Sequence, residues 1–138
     1  MSIASPQTAG EPDAPLHLSR RGPIALLTLQ RPPVNALGAR LVGALHRVLG
    51  ELAGDRAVRV LHLRSGLRVF CAGADLGEMR DNLADRDGVD DQIAAIRDLQ
   101  GVLARLESMP MATLAEIGGA AMGGGLELAL ACDLRVAA

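Results

Sequence analysis

Three consecutive glycines, Gly123-Gly124-Gly125, join a short apolar stretch at residues 113 to 117 to a helix-forming segment, Leu126-Glu127-Leu128-Ala129-Leu130-Ala131. Two more, Gly118 and Gly119, precede them. Without a Cβ, glycine takes positive φ freely and lets two backbones approach more closely than other residues allow. A strand, a glycine cluster and a helix in succession therefore describe a tight turn. Its amide N–H groups face outward at a helix start, where the helix dipole favours negative charge. Glu127 falls in the first turn of that helix and is the only acidic or basic residue between Ile117 and Asp133. The pattern reads as an oxyanion site with a carboxylate beside it, placed among apolar neighbours to act as a general acid or base.

The rest of the chain supplies a framework for that turn. Residues 1 to 17, with three prolines and small polar residues, read as a disordered tail preceding a core at 18–138. Residues 24 to 29 predict a strand, closed by Arg31-Pro32-Pro33 in extended conformation. Leu41, Leu45, Val48, Leu49 and Leu52 recur at helical spacing. A second strand is expected at 58–63, followed by a turn at Ser65-Gly66. Val69-Phe70-Cys71 then leads into another glycine-bearing loop, Ala72-Gly73-Ala74-Asp75. Residues 75 to 91 hold seven acids against two arginines and suggest a mobile, solvated helix-loop. Ile93, Ile96, Leu99, Leu103 and Leu106 mark an amphipathic helix that ends at Pro110, and residues 134 to 137 start a last strand. This alternation predicts an α/β fold. A last strand with nothing after it is the mark expected of a fragment, or of a chain completed by a partner.

Composition narrows the chemistry. The 138 residues suit one domain with a substantial core. All fourteen basic residues are arginine, which removes Schiff-base chemistry and the P-loop lysine. A net charge of −2 with no Trp, no Tyr and one Phe argues against nucleic-acid partners. Cys71 and Cys132 lie in apolar surroundings and read as core thiols in a reducing, cytoplasmic compartment. His17 falls in the tail, and His46 and His62 lack a partner at ligand spacing, so no metal site is expected. No apolar run argues for a membrane span. Asp75 is placed to cap the helix after it, and Asp133 to close the glycine-turn helix or bond a nearby loop.

Both glycine-bearing loops follow a strand and precede a helix. If their strands are neighbours, the loops open at one sheet edge, where α/β proteins bind ligands. One N–H from each could then meet a single oxygen; losing one such donor typically costs ~3 kcal/mol in the transition state.

Phe70-Cys71-Ala72-Gly73-Ala74-Asp75-Leu76-x-x-Met79, followed by Gly119-x-x-x-Gly123-Gly124-Gly125-x-Glu127-Leu128-Ala129 and Ala131-Cys132-Asp133, resembles the crotonase (enoyl-CoA hydratase/isomerase) superfamily. Arg31-Pro32-Pro33-Val34-Asn35-Ala36-Leu37 looks like that family's loop between first strand and helix. The likeness implies a spiral of ββα units, truncated here before the C-terminal helical trimerisation region. It implies an acyl-CoA thioester as substrate, with coenzyme A part of that substrate and no further cofactor. A homo-oligomer, a trimer or dimer of trimers, is also implied.

By the same likeness the oxyanion amides are those of Ala74 and Gly124. Ala72, Gly73, Asp75, Leu76 and Gly123 fall at substrate-binding positions. Glu127 matches the first catalytic glutamate of the hydratases, which add water across a 2-enoyl-CoA to give a 3-hydroxyacyl-CoA. The family's second glutamate is expected beyond Ala138. Gly118 and Glu116 depart from the family's usual Asn and small apolar residue. Enoyl-CoA isomerase, acyl-CoA hydrolase and a catalytically incomplete acyl-CoA-binding fragment are the alternatives.

Overall fold

A computed structural model describes residues 12–138. The strands are β1 (Leu16–Arg21), β2 (Ile24–Leu29), β3 (Val60–Ser65), β4 (Ala112–Ile117) and β5 (Leu134–Ala137). The helices are α1 (Ala39–Ala53), α2 (Leu76–Leu83), α3 (Gly88–Glu107) and α4 (Gly124–Leu130). The strands form one sheet in chain order, β1-β2-β3-β4-β5. Only β1 and β2 are antiparallel; the remaining pairs are parallel.

Alternation decides which face is buried. Ala25, Leu27 and Leu29 of β2, Leu61 and Leu63 of β3, and Thr113 and Ala115 of β4 are all buried. Leu41, Leu45, Leu49 and Leu52 of α1 repeat at three- and four-residue intervals and join them in one cluster. Val102 and Leu106 of α3 complete it. With almost no aromatic residues, this core is a leucine core closed by Phe70.

Three expectations shift. Part of the expected tail is ordered: Leu16 and His17 belong to β1, which pairs with β2 through the two-residue turn Gly22-Pro23. Gly22 there has φ +56°, which suits a glycine-first hairpin turn. The rest of the tail, residues 1–11, lies outside the described residues. Secondly, β3 begins two residues later than expected, at Val60. Thirdly, α3 starts at Gly88, inside the acidic stretch, and only its C-terminal half packs into the core. Ile93 and Ile96 are exposed despite their helical spacing, because the N-terminal half overhangs a cleft rather than the sheet.

After β2, β3 and β4 the chain passes through a short linking segment before it enters a helix. Leu37 bridges Ala74, and Cys71 bridges Ala121. This repetition is the ββα spiral of the crotonase fold.

Asn35 holds the first of these segments. It is fully buried at φ +52°, a conformation that Asn tolerates better than most residues. Its Nδ2 donates to Ser65 Oγ and to the Phe70 carbonyl, and its Oδ1 accepts from the Arg31 N–H. Asn35→Ala leaves the Phe70 carbonyl and the Arg31 N–H without this partner, while Ser65 Oγ keeps Leu67. We expect it to destabilise the chain by about 1–3 kcal/mol, measurable as a lowered urea midpoint.

Candidate active site

The glycine turns meet backbone to backbone. Gly73 has φ +95°, and a Cβ there would stand 2.8 Å from the Met122 carbonyl oxygen and 3.3 Å from the Gly124 nitrogen. Gly123 has φ +52° and ψ −125°, a combination that only glycine adopts comfortably. The turn is stitched by Met122 N–H to the Cys71 carbonyl, and by Cys71 N–H to the Ala120 carbonyl. Since β3 and β4 are parallel neighbours, both loops do open at one edge of the sheet.

Among the described residues, the amide N–H groups of Ala74 and Gly124 donate to no protein acceptor. Ala74 is exposed and adjoins the Gly73–Gly124 contact. Two unpaired donors at one sheet edge are free to meet a single acceptor oxygen. Helix α4 runs only seven residues, so the positive character here comes from two discrete amides rather than from a long helix.

Beside them lies a cleft of about 460 Å³ under the overhang of α3, lined by Leu37, Val42, Ala74, Met79, Ile96 and Leu99 and also by the acidic residues Asp75, Glu78, Asp81, Asp91 and Asp98. Leu37 and Leu99 also touch Gly124: a Cβ at Gly124 would lie 3.0 Å from Leu37 Cδ1 and 3.3 Å from Leu99 Cδ2. The apolar wall and the unpaired amides are therefore continuous, which suits a polar carbonyl carrying an apolar chain. Leu99 reads in the sequence as an ordinary core residue of α3, and nothing in its spacing marks it as a site residue.

Glu127 sits in the first turn of α4, its Oε2 3.8 Å from the Cβ position of Gly124. The expected burial is not found: Glu127 is exposed, as are Leu126 and Leu130 on the same helix. No element among the described residues covers that side of α4. Its carboxylate has no hydrogen-bond or ion-pair partner among them, so it is free to meet a ligand or a water.

The remaining expected residues divide. Asp75 caps α2 by accepting from Glu78 N–H at 3.0 Å. Its Oδ2 accepts from Arg31 Nη2 at 2.7 Å. Ala72 donates its N–H to the Val34 carbonyl, and Gly73 accepts from Leu37 N–H; both shape the loop. Leu76 projects into solvent and takes no part in lining the cleft. Asp133 fixes the start of β4, accepting from the N–H and the hydroxyl of Thr113. Cys71 and Cys132 are buried free thiols; burial pushes Cys132 up to about 11. Glu116 pairs with His62 across neighbouring strands at 2.6 Å, away from the cleft.

Sequence reasoning missed two residues of the surrounding frame. Arg31 reaches from the first loop to Asp75, and Glu78 Oε2 accepts from Ala39 N–H at the start of α1. The bare N-cap of α1 at Gly38 was the available signal: a helix start without a side-chain cap needs an acceptor from elsewhere.

Paired glycine turns on a ββα spiral define the crotonase class of fold. The family model described as enoyl-CoA hydratase/isomerase matches residues 19–138, and the chain belongs to that family. The human mitochondrial protein named enoyl-CoA hydratase domain-containing protein 2 is 47% identical over 118 residues, covering 83% of this chain and 38% of that protein. Human mitochondrial methylglutaconyl-CoA hydratase is 39% identical over 105 residues, covering 75% of this chain and 30% of its own length. The chain thus spans well under half of these curated relatives.

Among solved structures, Pseudomonas aeruginosa PA4980 superposes with a TM-score of 0.86 at 35% identity, covering 94% of this chain and 55% of that one. An enoyl-CoA hydratase from Bacillus anthracis gives 0.80 at 28% identity, covering 89% and 47%.

Two outcomes are expected of this site. Gly73→Ala forces a methyl against the Met122 carbonyl at a positive φ, and should cost about 1–3 kcal/mol as well as displacing the Gly124 amide. Chemical denaturation measures the first effect and ligand affinity the second. The Asp75 carboxyl is held below its usual range by the Glu78 N–H first and by Arg31 second. Its contribution to stability is complete above about pH 4, the unfolded value, and is lost as pH falls through the lower folded value. Asp75→Asn, which still caps a helix, should flatten part of that acid-side loss in urea midpoints; Asp55, held down by Arg20, retains its own part.

Proposed function

We propose that this chain carries the oxyanion hole and one acid/base glutamate of an enoyl-CoA hydratase. The observation that carries this reading is the pair of unpaired amides, Ala74 and Gly124, next to a cleft with an apolar wall of Leu37, Met79, Ile96 and Leu99. In this reading the thioester oxygen of a 2-enoyl-CoA accepts from both N–H groups. Water adds its oxygen to the β-carbon, the C=C π electrons move toward the thioester, and the negative charge of the resulting enolate rests on that oxygen. Protonation at the α-carbon, which returns the proton that Glu127 takes from the water, then gives the 3-hydroxyacyl-CoA. Two preorganised donors lower this barrier because they already point where charge develops.

Glu127, within reach of Gly124, orients the water and accepts its proton. A glutamate at this position favours hydration over isomerisation or thioester hydrolysis. Ala72, Gly73, Asp75, Leu76 and Gly123 are carried in the same reading as substrate-side positions, with Leu76 the least supported by its place. The apolar side chains left exposed on α4 and β5, Leu126, Leu130, Leu134 and Val136, support a further layer over this face, as a homo-oligomeric enzyme supplies. Two buried free thiols support a reducing, cytoplasmic setting.

Native mass spectrometry with crotonyl-CoA tests the reading directly: a bound thioester that gains one water supports it. Glu127→Gln should lower hydration by about 10²–10⁴-fold while leaving the affinity for butyryl-CoA unchanged. Equal turnover by the variant removes Glu127 from the mechanism.

A further inference from the structure

Ala74 is held through both of its neighbours. On one side, the Gly73 carbonyl accepts from Leu37 N–H at 2.8 Å. On the other, both carboxylate oxygens of Asp75 are engaged, Oδ1 by Glu78 N–H and Oδ2 by Arg31 Nη2. Arg31 Nη1 simultaneously donates to the Ala36 carbonyl at 2.7 Å, and Nη2 lies 3.6 Å from Glu78 Oε1. The base of Arg31 is fixed as well: its N–H donates to Asn35 Oδ1, and its carbonyl accepts from Asn35 N–H. A planar guanidinium with forked donors is thereby locked between the loop that follows β2 and the loop that carries Ala74.

We propose that Arg31 is a positioning residue for thioester polarisation: acting through Asp75 and the Ala36 carbonyl, it sets the direction of the Ala74 N–H. The inference rests on the oxyanion reading of Ala74 and Gly124. Its physical basis is the angular dependence of hydrogen bonding. A peptide whose two flanking residues are anchored cannot rotate, and a donor that swings off line loses strength steeply. Once Arg31 is removed, Asp75 keeps its helix cap, and the backbone bonds from Leu37 N–H to Gly73 and from Ala72 N–H to Val34 remain, but the Asp75 side of Ala74 loses its tie to the 31–37 segment. The Ala74 amide is then anchored on its Gly73 side alone and can tilt off line, while the bulk of the fold, built on the leucine core, stays in place. Lysine cannot reproduce the arrangement, because one ammonium does not span the carboxylate and the carbonyl as a fork does.

Isotope-edited infrared spectroscopy of butyryl-CoA, labelled with ¹³C at the thioester carbonyl and bound to the full chain, tests this without turnover. In the wild type the bound carbonyl stretch is expected to fall below its free-solution position. Arg31→Ala should abolish at least half of that displacement, and Arg31→Lys should recover only part of it. Arg20→Ala, which removes the surface pair with Asp55, should leave it intact and controls for general loosening. A full displacement in Arg31→Ala, even with a lowered melting temperature, overturns the inference and leaves Arg31 a structural residue. Should Arg31→Ala fail to fold, a full displacement in Arg31→Lys overturns it equally. An unshifted carbonyl in the wild type removes the oxyanion reading, and this inference with it.

Discussion

The structure depends on one contact made without side chains, the approach of the Gly73 turn to the Gly123-Gly124 turn. Everything chemically useful lies around it. The contact requires two parallel neighbouring strands to deliver their loops to the same place, which the β3–β4 register does. It also requires that nothing project between the loops. At Gly125 a Cβ would run into the Cys71 carbonyl, and at Gly119 into that of Arg68. The glycines therefore act as spacers that bring amides together, and the unpaired state of Ala74 and Gly124 follows. Each lies at the point where its chain turns from linking segment to helix, and neither has a backbone acceptor within reach.

Around that contact the polar frame and the leucine core divide the labour. Burial on one sheet face holds the strands, while Asn35, Arg31, Asp75 and Glu78 hold the loops. Hydrogen bonds between loops specify orientation to within a narrow angle, which apolar packing does not do. A site that binds a developing charge needs that angular precision. Enoyl-CoA hydratase/isomerase membership accounts for the residue types of the glycine turns; the frame shows how this chain keeps them in place.

Much of this was legible in the residues. The glycine cluster, the position of Glu127 at a helix start, the alternation of strands and helices from β2 to β4 and the capping role of Asp75 all follow from local chemistry. Three features did not. β1 carries only two apolar residues, Leu16 and Leu18, beside prolines, so its edge pairing left a weak pattern. The overhang of α3 was hidden because Ile93 and Ile96 keep helical spacing while Ile96 faces a cleft and Ile93 is exposed. The exposure of Glu127 was missed because apolar neighbours in sequence do not establish neighbours in space. Leu126 and Leu130 flank it, and they too are exposed.

The strand order has a consequence for how such a chain is made. Every strand pairs with the one before it in sequence, so no strand waits for a distant partner. As the polypeptide leaves the ribosome, each ββα unit can add to a sheet edge that its predecessor has already presented. Assembly can thus proceed by accretion from the amino terminus. The Ala74 and Gly124 amides would come together only when the third unit docks, so the contact between the two glycine turns would be among the last features of this region to form.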